Sequence, residues 1–224
     1  MPKPTFLNLP EEKRKRILSV AMDEFATYPY SKASLSNIVT RAGIAKGSMY
    51  QYFEGKRDLY TYILDLAAGE KMAYMKQEIN PEADFFTALG LFMMAGTRFN
   101  LEHAQLGRII ANAMDSAEEE LFHDLFVKGK QMAIDFFEQM LQKGREKGEI
   151  RRDIDSRLVA NMMYSLAGQG LAEYLLESLG VTMHQYLADP HISQRMTLER
   201  TEQVITEVMK FLRHGLQKGA NNNG

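Results

Sequence analysis

Between residues 42 and 60 the chain reads AGIAKGSMYQYFEGKRDLY, which crowds Lys46, Ser48, Tyr50, Gln51, Tyr52 and Lys56 into a stretch the length of about three helical turns. These side chains share one chemistry: hydroxyl, amide and ammonium groups that donate hydrogen bonds to oxygen. Ser48 and Gln51 are suited to base edges, and tyrosine hydroxyls and lysine ammonium groups to phosphate oxygens. Gly47, set among them, lets a backbone come close. Residue types for bond-making do not gather in this way. The five histidines (His103, His123, His184, His191, His214) stand in no zinc-binding spacing, there is no cysteine, and neither a nucleophile motif nor a phosphate-cradling glycine loop occurs. An enzyme is not expected, nor a metal site, nor any cofactor.

The charge supports a polyanionic partner for the first quarter of the chain. Residues 1–57 hold ten Lys/Arg against five Asp/Glu, and the rest 17 against 24, leaving +5 on the head and −7 on the body of a 224-residue chain. A solvated basic helix face gives the same count. So does a nucleic-acid-binding head on a body that keeps clear of phosphates. At 45% hydrophobic and 25% charged residues, there is enough apolar surface for a real core. The first residues lack the apolar stretch of a signal peptide, and no apolar run is long enough to span a membrane. The absence of cysteine fits a reducing cytoplasm, which is the expected location.

Helical periodicity must position these groups, because strand signals are almost absent. Ile17, Ala21 and Phe25 recur behind Pro10-Glu11-Glu12, and Pro29 and Tyr30 end that helix. Ser34 caps a short helix carrying Ile38 and Val39. Gly43 turns the chain into a second short helix over 45–53, and from Lys56 a longer one runs until Asn80-Pro81. Further helices are expected over 82–103, 105–114, 117–147, 155–178 and 197–216, with a loop between the last two and a frayed tail at GANNNG. The fold class is all-α, with about nine helices. Residues 1–55 form a helix-turn-helix domain, 56–79 a connecting helix and 80–224 a larger helical domain. In the first domain Ile38, Val39, Ala42, Ile44, Met49 and Phe53 face inward, leaving Lys46, Gly47, Ser48, Tyr50, Gln51 and Tyr52 outside. A small helical hairpin with incidental surface tyrosines satisfies the generic pattern equally well.

The particular string is more specific. AGIAKGSMYQYFEGKRDLY resembles the signature of the TetR family of transcriptional regulators, A-G-[VI]-[SA]-K-G-[ST]-x-Y-x-[YH]-F-x-x-K-x-x-L. RKRILSVAMDEFA is similar to that family's first helix, SLSNIVTRA to its second, and QKGREKGEIRRDID at 142–155 to a glycine-bearing turn before its penultimate helix. Pro29 stands where members often place glycine. The resemblance is tight over about residues 11–66 and loose beyond. It implies DNA binding through Ser34, Asn37, Lys46, Gly47, Ser48, Tyr50, Gln51, Tyr52 and Lys56. In that assignment Lys46, Ser48 and Gln51 face the groove, while Ser34, Asn37, Tyr50, Tyr52 and Lys56 hold phosphates. The Lys13–Arg16 run either joins them or forms a solvated face.

The body is expected to dimerise and to bind a small molecule. Residues 155–178 are apolar around most of the helix, so two surfaces should cover them: the chain's own core on one side, and on the other either a second copy or more of the same monomer. The expected interface is Val159, Leu166, Gly170, Leu171, Val204, Val208, Phe211 and Leu212, and the resemblance implies pairing through the last two helices. The resemblance also implies a small-molecule cavity among the middle helices, for an apolar or amphipathic ligand. Phe85, Leu89, Phe92, Met93, Phe99, His103, Met162, Met163 and Gln169 are its candidate lining; aromatic and methionine stripes at helical spacing fit plain core as well. Arg98, His103, Asn112 and Gln169 are its candidate polar anchors. The function implied is a ligand-responsive regulator, as a repressor binding a palindromic operator as a homodimer. The alternative is a helical adaptor whose basic head meets an acidic protein.

Overall fold

The computed structural model describes residues 1–114, 123–182, 185–186, 189–193 and 195–217, with side-chain packing for all of these but Met114, Asp124, Leu125, Gln169, Pro190 and Ser193. The helix expected from 117 and the tail 219–224 therefore lie partly or wholly outside the described residues. Among those described the chain is all-helical, with a lone antiparallel bridge between Ile150 and Gln217. The helices are α1 (Pro4–Leu7), α2 (Glu11–Thr27), α3 (Leu35–Arg41), α4 (Lys46–Tyr52), α5 (Lys56–Gln77), α6 (Phe85–Glu102) and α7 (Ala104–Met114). They continue with α8 (His123–Glu146), α9 (Ser156–Ser165), α10 (Leu171–Leu179), α11 (Pro190–Ser193) and α12 (Leu198–Leu216).

Their ends follow local chemistry. Glu11 and Glu12 fill the first turn of α2, where exposed N–H groups favour acids, and Tyr28 leaves the helix in an extended conformation before Pro29. Side-chain oxygens of Ser34, Asp155 and Thr197 accept the N–H groups of Asn37, Leu158 and Arg200, capping α3, α9 and α12. Gly180, at φ 67°, closes α10 in the left-handed region that suits glycine. Two elements depart from expectation. The helix foreseen over 155–178 is interrupted by a five-residue π-turn, Leu166–Gly170. The segment before Pro10, for which no helix was expected, contains α1 and buries Phe6 completely.

Contacts divide the chain into two units: Met1–Met72 with Phe99–Leu125, and Ala73–Arg98 with Phe126–Gly224. In the first, Ile17, Ala21 and Phe25 of α2 meet Ile38 of α3, Met49 of α4, Phe53, and Leu59, Tyr60 and Ile63 of α5, all at most 1% exposed. Phe25 sets its edge against Tyr60, with ring centroids 4.8 Å apart. Each of the larger of these side chains removed from water stabilises by about 1.5–3 kcal/mol, which holds helices too short to stand alone. Ile44, expected inside, is half-buried at the turn.

In the second unit Phe92 of α6 packs against Phe136 and Phe137 of α8, at 4.9 and 5.7 Å. Leu175 and Leu176 of α10 and Ile205 of α12 are also buried. The last turn of α8 depends on Gly144: a Cβ there would lie 2.7 Å from Ile150 and 3.3 Å from Phe85, so a larger residue would push α8 away from α6 and from the turn that follows. Glu149, on that turn, caps α6 by accepting the N–H of Phe85 at 2.7 Å.

Candidate nucleic-acid interface

α3 and α4 are joined by a turn in which Gly43 takes φ +64°. Its N–H bonds Thr40 O at 3.1 Å, and the N–H of Ile44 bonds Val39 O at 3.2 Å. The pair is held from behind by a polar frame. Glu24, 2% exposed, accepts the N–H of Ser34 at 2.8 Å, and Arg41 pairs with Asp23 at 2.9 Å. Lys56 donates to the carbonyls of Tyr30 and Ala33 at 2.7 and 3.1 Å and lies over the Tyr30 ring. The turn at 28–34, where proline stands in place of the family's glycine, is thus tied by a carboxylate on one side and an ammonium on the other.

This frame leaves part of the expected set facing solvent. Asn37, Lys46, Gly47, Tyr50 and Gln51 are exposed, and Ser48 is half-exposed among them. A Cβ built on Gly47 would meet no atom within 4 Å, so the fold itself does not require glycine there. The arrangement presents an ammonium, two hydroxyls and a carboxamide along one face of α4, a set of donors matched to a phosphate-lined groove. Ser34 is already engaged, its hydroxyl accepting from Asn37 N at 3.3 Å.

Two members of the expected set are engaged by the fold. Tyr52 does not face out: it is 5% exposed, with its ring 5.9 Å from Phe6, because α1 covers that side of α4. Lys56 is not an open cation, since two of its three donors serve the carbonyls of the 28–33 turn. Of the Lys13–Arg16 run, Arg14 bonds Leu7 O at 3.0 Å and Lys15 pairs with Glu11 at 2.7 Å, so half of it belongs to the fold.

The expected pocket set divides. Phe85, Leu89, Phe92, Met93, Phe99 and Met163 are at most 4% exposed and pack as core. Met162 is 59% exposed and faces away from it, and the side chain of Gln169 lies outside those described. Of the anchors, Arg98 pairs with Glu78 at 2.6 Å, and Asn112 donates to Phe25 O and Ala26 O at 3.2 and 3.4 Å. His103 stacks on Phe99 at 4.7 Å and joins Met22, Glu70 and Glu102 in lining an open cleft of about 340 Å³ within the first unit. A cation that sequence reasoning passed over is Lys71. Its ammonium donates to Asn100 Oδ1 at 3.1 Å, and burial lowers its pKa from 10.5 to about 8.

The interface set is also redistributed. Val159 and Leu171 are buried within the chain, whereas Leu158, Met162 and Tyr174 are exposed by 61, 59 and 57%. Leu166, Val204, Val208 and Leu212 are half-buried, Gly170 is exposed, and Phe211 is 73% exposed. An all-round apolar helix does not reveal which side its own domain takes.

Two short helices around a left-handed glycine, with a donor-rich second helix, define a helix-turn-helix DNA-binding protein. Residues 17–63 match the sequence model of bacterial regulatory proteins, tetR family. A TetR family transcriptional regulator from Chloroflexus aurantiacus J-10-fl is 30% identical, over 98% of this chain and 100% of that one, and superposes with a TM-score of 0.67. This chain belongs to the TetR family and is a DNA-binding transcriptional regulator. The fatty acid metabolism regulator protein of Bacillus subtilis is 22% identical over 73% of this chain and 84% of its own length. The fatty acid degradation regulator FadR of Bacillus halodurans shares the fold, with a TM-score of 0.65 at 17% identity over 93% of this chain and 98% of its own. Among the described residues no helix is long and apolar enough to cross a membrane.

Proposed function

We propose that the chain is a ligand-responsive repressor that binds a palindromic operator as a homodimer. The observation that carries this reading is the exposed face of α4, where Lys46, Gly47, Ser48, Tyr50 and Gln51 stand clear of a scaffold that holds everything around them. Lys46, Ser48 and Gln51 read base edges; Tyr50, with Asn37 at the start of α3, takes phosphates; Gly47 admits the backbone. Ser34 shapes the α3 terminus, whereas Tyr52 and Lys56 hold α4 and the preceding turn. Residues 1–55 are the DNA-binding domain, α5 the connector, and the remainder the effector and pairing domain of a cytoplasmic protein.

One seven-residue helix reads few base pairs, and two at a fixed spacing read a palindrome. Large apolar side chains left in water on α9, α10 and α12 (Leu158, Met162, Tyr174, Phe211) support a second copy as their cover. The effector is a small apolar or amphipathic molecule that releases the operator. Two relatives named for fatty acid metabolism and degradation favour an amphiphile with an acidic head, for which Lys71 is the suitable counter-charge. Its binding is relayed through α7, which bonds the end of α2 through Asn112, and through Asp23, shared by Gln105 of α7 and Arg41 of α3. An effector shifts such an equilibrium only by its differential affinity for the two states.

The test is selection of bound duplexes from a random-sequence pool, followed by titration at several salt concentrations. A palindromic consensus is expected, with affinity falling steeply as salt rises. Recovery of no consensus, together with a single subunit in sedimentation, would remove the proposal.

A further inference from the structure

The carbonyl end of α4 is held in an unusual way. An α-helix leaves its last four carbonyls without donors from within the helix. In α4 the carbonyl of Met49 accepts the N–H of Phe53 at 2.9 Å. The remaining three are all taken by the segment that precedes α2. Tyr50 O accepts from Lys3 Nζ at 2.9 Å, Gln51 O from the Thr5 hydroxyl, and Tyr52 O from the Lys3 N–H at 2.8 Å. The Lys3 ammonium also pairs with Glu54 at 2.9 Å and sets positive charge at the negative pole of the helix. Behind these bonds Phe6 is wholly buried, with ring centroids 5.9, 4.8 and 6.2 Å from those of Tyr52, Phe53 and Tyr62.

We propose that residues 3–7 are a clamp that fixes α4 for reading DNA, with Lys3 and Thr5 as positioning residues that hold the helix without touching the duplex. Seven residues do not persist as a helix alone, so the order of α4 depends on what satisfies its ends. Base readout needs hydrogen bonds of fixed geometry, whereas attraction to phosphates tolerates motion. Loosening the clamp therefore weakens binding to the preferred sequence more than to random DNA. This inference rests on α4 being the helix that reads DNA, so its test includes a measurement made without DNA.

Lys3 sits at φ −74° and ψ 156°, values that proline adopts. Lys3→Pro thus keeps the chain path while deleting both the ammonium and the N–H donor; Lys3→Met deletes the ammonium alone. In the full chain, amide exchange in α4 should quicken by about 5-fold in Lys3→Met and about 20-fold in Lys3→Pro, taking each bond at its usual net worth. Exchange in α12 should not change. On a duplex selected by the wild type, affinity should fall in the same order and by more than on random duplex, with an unchanged salt slope. A slope shallower by about one unit would make Lys3 a phosphate contact, and equal exchange in α4 would mean that nothing is clamped; either result overturns the proposal. Should the wild type select no duplex, the role of α4 in reading DNA falls, while the exchange data still decide the clamp.

Discussion

Lys71 permits a test in which one group can be followed through pH. Its ammonium leans on the amide oxygen of Asn100 at 3.1 Å, and burial lowers its pKa from 10.5 to about 8. On unfolding the group regains its ordinary value. Between pH 8 and 10.5 the unfolded chain therefore holds the extra proton, and stability rises with pH. The burden is complete below about pH 8 and is lifted as the pH climbs toward 10.5. At about 1.4 kcal/mol per unit, the full burden is about 3 kcal/mol, of which about 2 kcal/mol is recovered between pH 7 and pH 9.5. Lys71→Met removes the charge and keeps an unbranched apolar stem, at the cost of about 1 kcal/mol for the lost bond to Asn100. Urea unfolding of both proteins at one concentration should find the variant about 2 kcal/mol more stable at pH 7, and close to the wild type at pH 9.5. Because all other titrating groups are common to the pair, only the change in the gap with pH matters. A gap that stays constant over this range would refute the burial of Lys71 as a cation.

Other expectations follow from the α4 face and the exposed apolar groups. Gly47→Ala introduces no clash and should stabilise the fold by about 0.5–1 kcal/mol in thermal unfolding, while weakening operator binding in a mobility-shift titration. Tyr50→Ala should weaken binding to preferred and random duplexes alike. Gln51→Ala should instead relax discrimination at particular base pairs by about 1–3 kcal/mol, read by competition with point-changed duplexes. Phe211→Glu, at a site 73% exposed, should leave the Tm within a few degrees at a concentration where the wild type is monomeric. The same change should shift the monomer–dimer equilibrium toward monomer in sedimentation.

Much of the head was legible in the sequence because its signals are local. A cap at Ser34, a left-handed glycine at 43 and a four-residue apolar repeat through Ile17, Ala21 and Phe25 each act within one or two turns. What escaped depends on contacts distant along the chain. Tyr52 reads as an outward aromatic until Phe6, far away in sequence, covers it. Nothing near Lys56 in the sequence announces the two carbonyls of the 28–33 turn that its ammonium serves. In the body, the apolar character of 155–178 announces that two surfaces meet the helix, but not which side each takes. The structure turns Val159 and Met163 inward and leaves Leu158 and Met162 in water. The π-turn at Leu166–Gly170 has no comparable local cue beyond its two glycines, Gly168 and Gly170.

The division of labour within α4 bears on how such a protein changes over generations. Met49 and Tyr52 anchor the helix inside, while Lys46, Ser48, Tyr50 and Gln51 face outward and carry little of the weight of the fold. Replacing the outward letters leaves the architecture nearly indifferent, since surface substitutions of this kind change stability by only about 0.5 kcal/mol either way. Target preference is thus free to drift, or to be rewritten by an engineer, one side chain at a time, with no intermediate that fails to fold.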